Sequence, residues 1–370
     1  MDSEISRRTF NKQIVKGLGG LAVASGLSMS CEAATGDQKR KLGVALVGLG
    51  YYSTGLLAPA LQQTEHCELK GIVTGTPSKV KTWVQRYGIP QGNVYNYENF
   101  DEIVKNDEID IVYVVLPNSM HADFSIRAAR AGKHVICEKP MAMNVTECVA
   151  IIEACKKAKV KLSVGYRLQS EPYTNEVKRY VREQTFGKPL YVSTEAAYIS
   201  GSNWDQWRFD AKLAGGGALM NMGVYAIQGA VYATGELPVA VTAQEFSTNP
   251  AKFKETDETI TAQLEFKGGA MANIFTSHNA QADRLYATCS KGWYELSPAF
   301  GYGPLSGRSS AGAIKFKHKS QQALQMDDFA LHIKQGSPNK APGEMGLRDM
   351  RIVEAIYQSI REKKRITIDW

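Results

Sequence analysis

The segment Val47-Gly48-Leu49-Gly50-Tyr51-Tyr52-Ser53 constrains this chain more than any other. Before it runs Leu42–Gly48, a nearly continuous apolar stretch that reads as a strand buried on both faces. After it, Leu56–Gln63 reads as a helix. In that setting G-x-G-x-x-S is a dinucleotide-binding turn. The first glycine permits the tight turn, and the second lets the backbone approach a pyrophosphate. The helix N-terminus then faces the anion. Serine stands third in the fingerprint, where Gly or Ala is usual. Gly48, Leu49, Gly50, Tyr51 and Tyr52 are therefore candidate cofactor contacts.

The rest of the first half alternates strand and helix. Strands are expected at Glu68–Val73, Ile109–Leu116, His134–Cys137 and Lys161–Gly165, with helices at Lys79–Tyr87, Ala122–Ala131 and Val145–Ala158. That alternation predicts a doubly wound parallel sheet, a Rossmann domain over residues 41–165. Residues 166–370 read differently. Strands at Leu190–Ala197, Val239–Ser247, Thr259–Phe266, Ala270–His278, Arg284–Cys289 and Trp293–Leu296 are joined by short turns. They predict an α+β domain with a large, mostly antiparallel open-faced sheet. Helices are expected at Glu171–Arg182, Gly217–Tyr232, Gln322–Lys334 and Asp349–Lys363, the last placed to pack back on the first domain.

The end of the second strand chooses the cofactor. An NAD site usually places Asp or Glu there to bind the ribose hydroxyls. This chain has Val73-Thr74-Gly75-Thr76-Pro77-Ser78-Lys79, with no carboxylate to repel a 2′-phosphate. Thr74, Thr76 and Ser78 can donate hydrogen bonds, and Lys79 and Lys81 can supply charge, which favours NADP over NAD.

The N-terminus carries Arg7-Arg8 in a twin-arginine pattern, then an apolar stretch from Ile14 to Met29 and the small residues Ala33-Ala34. The stretch is shorter than the ~20 residues of a membrane span. Residues 1–34 read as a twin-arginine export signal and the mature chain as periplasmic. A lipid anchor at Cys31 is the alternative, although Ser28-Met29-Ser30 is a poor lipobox. Five cysteines remain beyond residue 34 and none forms C-x-x-C, which argues against a disulfide framework and against a metal site. The net charge of +7 is spread along the chain, with no basic stripe to suggest nucleic acid.

Several segments end strands at the carboxyl edge of the first sheet, where ligands of open α/β sheets bind. They are Leu116-Pro117-Asn118-Ser119-Met120-His121, Glu138-Lys139-Pro140 and Gly165-Tyr166-Arg167. Leu116, Pro117, Asn118, His121, Glu138, Lys139 and Arg167 are accordingly candidate cofactor contacts. Asn221 and Tyr225 are four apart, so both project from one helical face.

The motifs LPNSMHA, KHVICEKPM, VGYR, QWR, LAGGGALMNMGVY, AFGY and TIDW resemble the glucose-fructose oxidoreductase branch of the Gfo/Idh/MocA oxidoreductases, a family that includes the inositol dehydrogenases. The resemblance covers essentially all of the mature chain. It implies Lys139 and Tyr225 as the catalytic lysine and tyrosine, and Tyr302 as a second active-site tyrosine. It places the family's active-site aspartate on Asn221, a departure, sets Trp207 and Arg208 near the nicotinamide, and puts the phosphate end of NADP on Thr74, Gly75 and Lys79. The physical expectation is that the Lys139 ammonium lowers the Tyr225 phenol so that Tyr225 takes the proton of a sugar hydroxyl.

Export adds a constraint, since the periplasm holds no pool of nicotinamide cofactor. The expected activity is a sugar oxidoreductase with tightly held NADP(H). It would oxidise an aldose to its lactone and reduce a second sugar such as fructose on the same cofactor. Other readings are an ordinary NAD(P)-dependent sugar or polyol dehydrogenase, an NAD-dependent glycoside hydrolase of the same superfamily, and a non-catalytic sugar-binding protein. The expected assembly is a homo-oligomer, dimer or tetramer, formed through the second-domain sheet.

Overall fold

The computed structural model describes residues 40–201 and 206–370. The export signal read at residues 1–34 lies outside the described residues.

β1 (Leu42–Val47) is buried along its whole length. It pairs on one side with β2 (Cys67–Val73) and on the other with β4 (Ile111–Val114). β3 (Val94–Tyr95), β5 (His134–Cys137) and β6 (Leu162–Val164) complete a six-stranded, all-parallel sheet in the order β3-β2-β1-β4-β5-β6. The strand order reverses between β1 and β4. A crevice opens there at the carboxyl edge, where a doubly wound sheet binds its ligand. The helical segment after β1 includes α1 (Ala58–Leu61); α2 (Val80–Tyr87), α3 (His121–Arg130) and α4 (Val145–Ala158) follow in turn.

α5 (Pro172–Arg182) leads into the second sheet. Its strands are β7 (Pro189–Ala197), β8 (Pro238–Phe246), β9 (Thr259–Phe266), β10 (Met271–Ser277), β11 (Ala282–Cys289), β12 (Gly292–Leu296), β13 (Gly307–Ser309), β14 (Gly312–Ile314) and β15 (Ile366–Thr367). Their order is β14-β13-β12-β11-β7-β10-β9-β8-β15. Every pairing is antiparallel except β7 with β10, which is parallel. That exception sets Ala197 beside Ser277, so the residues after both strands emerge together. α6 (Ala211–Ala214) is a single turn, and α7 (Val224–Thr234) packs on one face of the sheet. Every residue of α7 is buried.

Two late helices return to the first domain. α8 (Gln321–Gln335) places Ala323, Met326, Phe329 and Ala330 among Leu46, Leu57, Ile72 and Trp83. α9 (Gly343–Glu362) packs against α4 and β8, and it begins six residues before the expected Asp349 because Pro342 sets its start. β3, β13, β14 and β15 were not expected from the sequence. Each has only two or three residues, too few to show an alternation. All five described cysteines are buried and free, and no group of acidic, histidine or cysteine side chains among the described residues is arranged to hold a metal.

Candidate active site

The glycine turn is built as its chemistry requires. Gly48 has φ +94°, and a Cβ there would lie 2.5 Å from the Val115 carbonyl oxygen. A Cβ on Gly50 would meet nothing within 4 Å. That open cradle at the start of a helix fits a dinucleotide pyrophosphate held by helix N–H groups. The unusual Ser53 is buried, and its hydroxyl donates to the Gly48 carbonyl at 2.5 Å, tying the helix to the turn. Lys79 reaches back from the short turn Pro77–Lys79 that follows β2, and Nζ donates to the Leu49 carbonyl at 2.8 Å. An ammonium is thus held at the rim of the glycine turn. Thr74 Oγ1 accepts from the Thr76 N–H at 3.1 Å, and Gly75 packs against the Tyr97 ring. The two loop tyrosines part company: Tyr51 is 79% exposed, whereas Tyr52 packs 6.0 Å from the Tyr302 ring.

The segment after β4 is anchored rather than free. Leu116 is buried, and Pro117 leads into a short turn in which Asn118 Nδ2 donates to the Ala214 carbonyl at 2.7 Å, joining the two domains. His121 is buried, with Nδ1 2.8 Å from the Pro140 carbonyl and Nε2 2.9 Å from the Leu116 carbonyl. Burial holds its imidazole below the usual range. His121 therefore clamps two strand-end loops together, and both ring nitrogens are engaged by backbone. Of the two roles the sequence leaves open for it, nicotinamide contact and structural brace, these contacts show the brace.

Glu138 follows β5 and is buried. It accepts from Tyr113 Oη at 2.6 Å, and Tyr113 Oη accepts from Gln325 Nε2 at 2.8 Å. Burial raises the Glu138 carboxyl. Gly165 makes room for it, since a Cβ there would lie 2.4 Å from Oε1. Next in the chain, Lys139 Nζ donates to the Asn221 carbonyl at 2.6 Å and approaches Asn221 Oδ1 at 3.3 Å. The same ammonium stands 4.8 Å from the centroid of the Tyr225 ring. On another side Arg167 stacks 4.9 Å from that centroid and 4.5 Å from the centroid of Tyr302. Arg167 also donates to the Gly301 carbonyl at 2.9 Å and the Phe300 carbonyl at 2.5 Å. Asp283 accepts from three successive N–H groups, Ala299, Phe300 and Gly301, at 2.8, 2.6 and 3.1 Å. Arg167 and Asp283 together hold the loop that presents Tyr302. Trp207 and Arg208 occupy a short turn in which the guanidinium lies over the indole at 4.5 Å.

The electrostatics differ from the sequence expectation. Burial lowers Lys139 to about 7, reinforced by Arg208 and Arg167 and opposed by Glu138. Burial raises the Tyr225 phenol, and the nearby Arg167 charge does not offset it. Tyr225 is therefore not made easier to ionise as expected, because desolvation outweighs the Coulombic effect of the Arg167 guanidinium. Lys139 is the group whose proton equilibrium falls near neutrality.

Two residues of the site were not expected at all. His278 Nε2 lies 2.9 Å from Asn221 Nδ2, and Tyr198 Oη accepts from the same nitrogen at 3.1 Å. Both follow parallel neighbours, β7 and β10. The sequence signal was a histidine and a tyrosine just past two strands, which carries meaning only once those strands are known to run side by side.

The comparisons with known proteins agree with this architecture. The model of the oxidoreductase family with an NAD-binding Rossmann fold matches residues 42–166. The GFO/IDH/MocA C-terminal domain matches residues 174–295, and the family's C-terminal alpha/beta domain matches residues 315–368. The solved aldose-aldose oxidoreductase from Caulobacter crescentus, in complex with glycerol, is 41% identical; the match covers 89% of this chain and 100% of that one, with a TM-score of 0.86. The scyllo-inositol dehydrogenase from Lactobacillus casei shares the fold at 18% identity and a TM-score of 0.74, over 89% of this chain and 99% of its own. D-xylose 1-dehydrogenase (NADP(+)) of Haloarcula marismortui is 28% identical over 335 residues, 88% of this chain and 92% of its own. The chain belongs to the GFO/IDH/MocA oxidoreductase family.

Proposed function

We propose that this protein is an exported sugar oxidoreductase that keeps NADP(H) bound while it oxidises an aldose to a lactone and reduces a second sugar such as fructose. The observation that carries the sugar chemistry is the Lys139–Asn221–Tyr225 group at the carboxyl edge of the Rossmann sheet, with Tyr225 buried and Lys139 and Asn221 half-buried. Support comes from the likeness to an aldose-aldose oxidoreductase and to NADP-dependent xylose dehydrogenases. Lys79 at the rim of the glycine turn, with no carboxylate at the end of β2, supports NADP.

NADP, when bound, supplies the hydride acceptor and, once reduced, the donor. The protein's part is to place the sugar and handle its proton. Tyr225 remains a protonated phenol near neutrality and can donate a hydrogen bond to the reacting oxygen. Lys139, poised near neutral pH, takes the proton that leaves the hydroxyl and returns it when the second sugar is reduced. Tyr302 and Arg208 border the same space and supply polar contacts for the sugar.

The twin-arginine pattern at Arg7-Arg8 supports export, and export favours a cofactor that never leaves. The test is to purify the mature protein, denature it and identify what is released. Stoichiometric NADP(H) supports the cycling reaction. An empty protein that turns over only with added NADP supports a second reading, an ordinary NADP-dependent aldose dehydrogenase. The resemblance to the xylose dehydrogenases favours that reading. For assembly, we propose that the face of the nine-stranded sheet opposite α7 meets a second copy. It presents Tyr191, Gln263, Asn273 and Tyr286 to solvent. Light scattering coupled to size exclusion decides between monomer, dimer and tetramer.

A further inference from the structure

Asn221 faces two ways. Its Oδ1 is turned to Lys139 Nζ, and its Nδ2 to His278 Nε2 and Tyr198 Oη. An ammonium carries only donors, so the amide atom beside it is the oxygen. The NH2 on the other side then needs acceptors. His278 Nε2 is therefore the lone-pair nitrogen, and the ring proton sits on Nδ1. A doubly protonated ring would turn an N–H onto the amide NH2. Burial and the charges of Arg208, Lys139 and Lys252 all oppose that charged ring and hold His278 at about 3. The ring is fixed by its backbone: the His278 N–H donates to the Glu258 carbonyl at 2.9 Å. Its carbonyl accepts from the Ser200 N–H at 2.9 Å and the Ser200 hydroxyl at 2.8 Å.

We propose that His278 is a positioning residue for the reaction inferred above. With Tyr198 it locks the Asn221 amide, so that Lys139 meets two uncharged oxygens on that side. The proposal rests on the reading of Lys139 as proton acceptor. A lysine held by neutral oxygens gives up its proton more readily than one held by a carboxylate. Among the described residues, six side chains act on Lys139 or on the Asn221 amide beside it. Glu138 adjoins it in the chain, and Asn221 and Tyr225 come from the helical stretch ending in α7. Arg167 follows β6, Arg208 comes from its short turn, and His278 follows β10. Glu138 is the carboxylate of this group, and it is already shared with Tyr113 and the Lys139 N–H.

Two measurements test the lock. The first compares His278→Leu with His278→Gln, whose amide oxygen can still accept from Asn221. NADP binding, read by quenching of protein fluorescence, is expected within twofold of wild type in both. The Leu variant is expected to lose at least tenfold in kcat, and the Gln variant to recover most of it. A Leu variant within twofold of wild type, or Leu and Gln variants equally impaired, overturns the proposal. The second needs no sugar and no variant. In 15N-histidine-labelled wild-type protein, His278 is expected to show an unprotonated Nε2 and a protonated Nδ1 from pH 5 to 8. A protonated Nε2 overturns the lock even if the sugar chemistry stands. The expected tautomer, in a protein that oxidises no sugar, overturns the reaction and leaves the lock.

Discussion

Lys139 Nζ stands 4.8 Å from the centroid of the Tyr225 ring and 2.6 Å from the Asn221 carbonyl oxygen. The lysine and tyrosine thus meet face to ammonium, and both are desolvated by the same closure. Desolvation acts with opposite sign on them: it favours neutral lysine and neutral phenol. The pair therefore rests with its proton on Tyr225 and with Lys139 near its midpoint.

The first prediction is a pH profile. Because Lys139 must be neutral to accept a proton, kcat for sugar oxidation should rise with pH, tenfold per unit at the acid end, and level off above about 7. Asn221→Asp puts a carboxylate 3 Å or so from the ammonium, favours the charged form and should move that limb upward by about one unit or more. Lys139→Met should cost about 10²–10⁴ in kcat. A flat profile between pH 5.5 and 8.5 would remove Lys139 from this role.

The two glycines of the turn should fail in different ways. Gly48→Ala forces a side chain into positive φ and against the Val115 carbonyl, so it should destabilise the fold by about 1–3 kcal/mol. Gly50→Ala meets no protein atom and should melt like wild type, yet weaken dinucleotide binding because its methyl takes ligand space. Thermal melts with and without NADP separate the two. Equal melting loss in both variants would contradict the assignment.

Lys79→Ala should raise the Kd for NADP by roughly tenfold, the size of one charge-assisted contact, and leave NAD little changed. The loss should shrink at high salt, since the ammonium is near solvent. Isothermal titration with both cofactors at two ionic strengths measures it, and a parallel loss for NAD and NADP would argue against a phosphate partner.

Asp283→Ala removes the acceptor for three backbone N–H groups and should loosen the loop that carries Tyr302. The expected result is a KM for sugar raised by about tenfold or more, with the affinity for NADP unchanged, since lost positioning of a binding loop costs on the order of 1–3 kcal/mol. Steady-state kinetics with sugar and cofactor varied separately checks the split. Equal damage to both constants would point to general unfolding.

Much of this protein was legible in the linear chain. The buried strand, the glycine turn and the helix behind it are local features, and the spacing of Gly48, Gly50 and Ser53 carries its own geometry. The long strands and helices of both domains also show in their periodicity. The absence of a carboxylate after Val73 is likewise a local fact. That Asn221 and Tyr225 lie close along one helical stretch is also a local fact, although Leu219–Gly223 is wound as a π-helix where the spacing predicts an α-helix. Tertiary structure decided the rest. It set β7 parallel to β10, which brings Tyr198 and His278 to one end of the sheet. It turned His121 onto two backbone carbonyls, stood Tyr51 in solvent and packed Tyr52 beside Tyr302. Above all it buried Tyr225 against a half-buried Lys139, and burial reversed the expected shift of the tyrosine. Desolvation depends on what the whole chain closes around a group, so no window of sequence contains it.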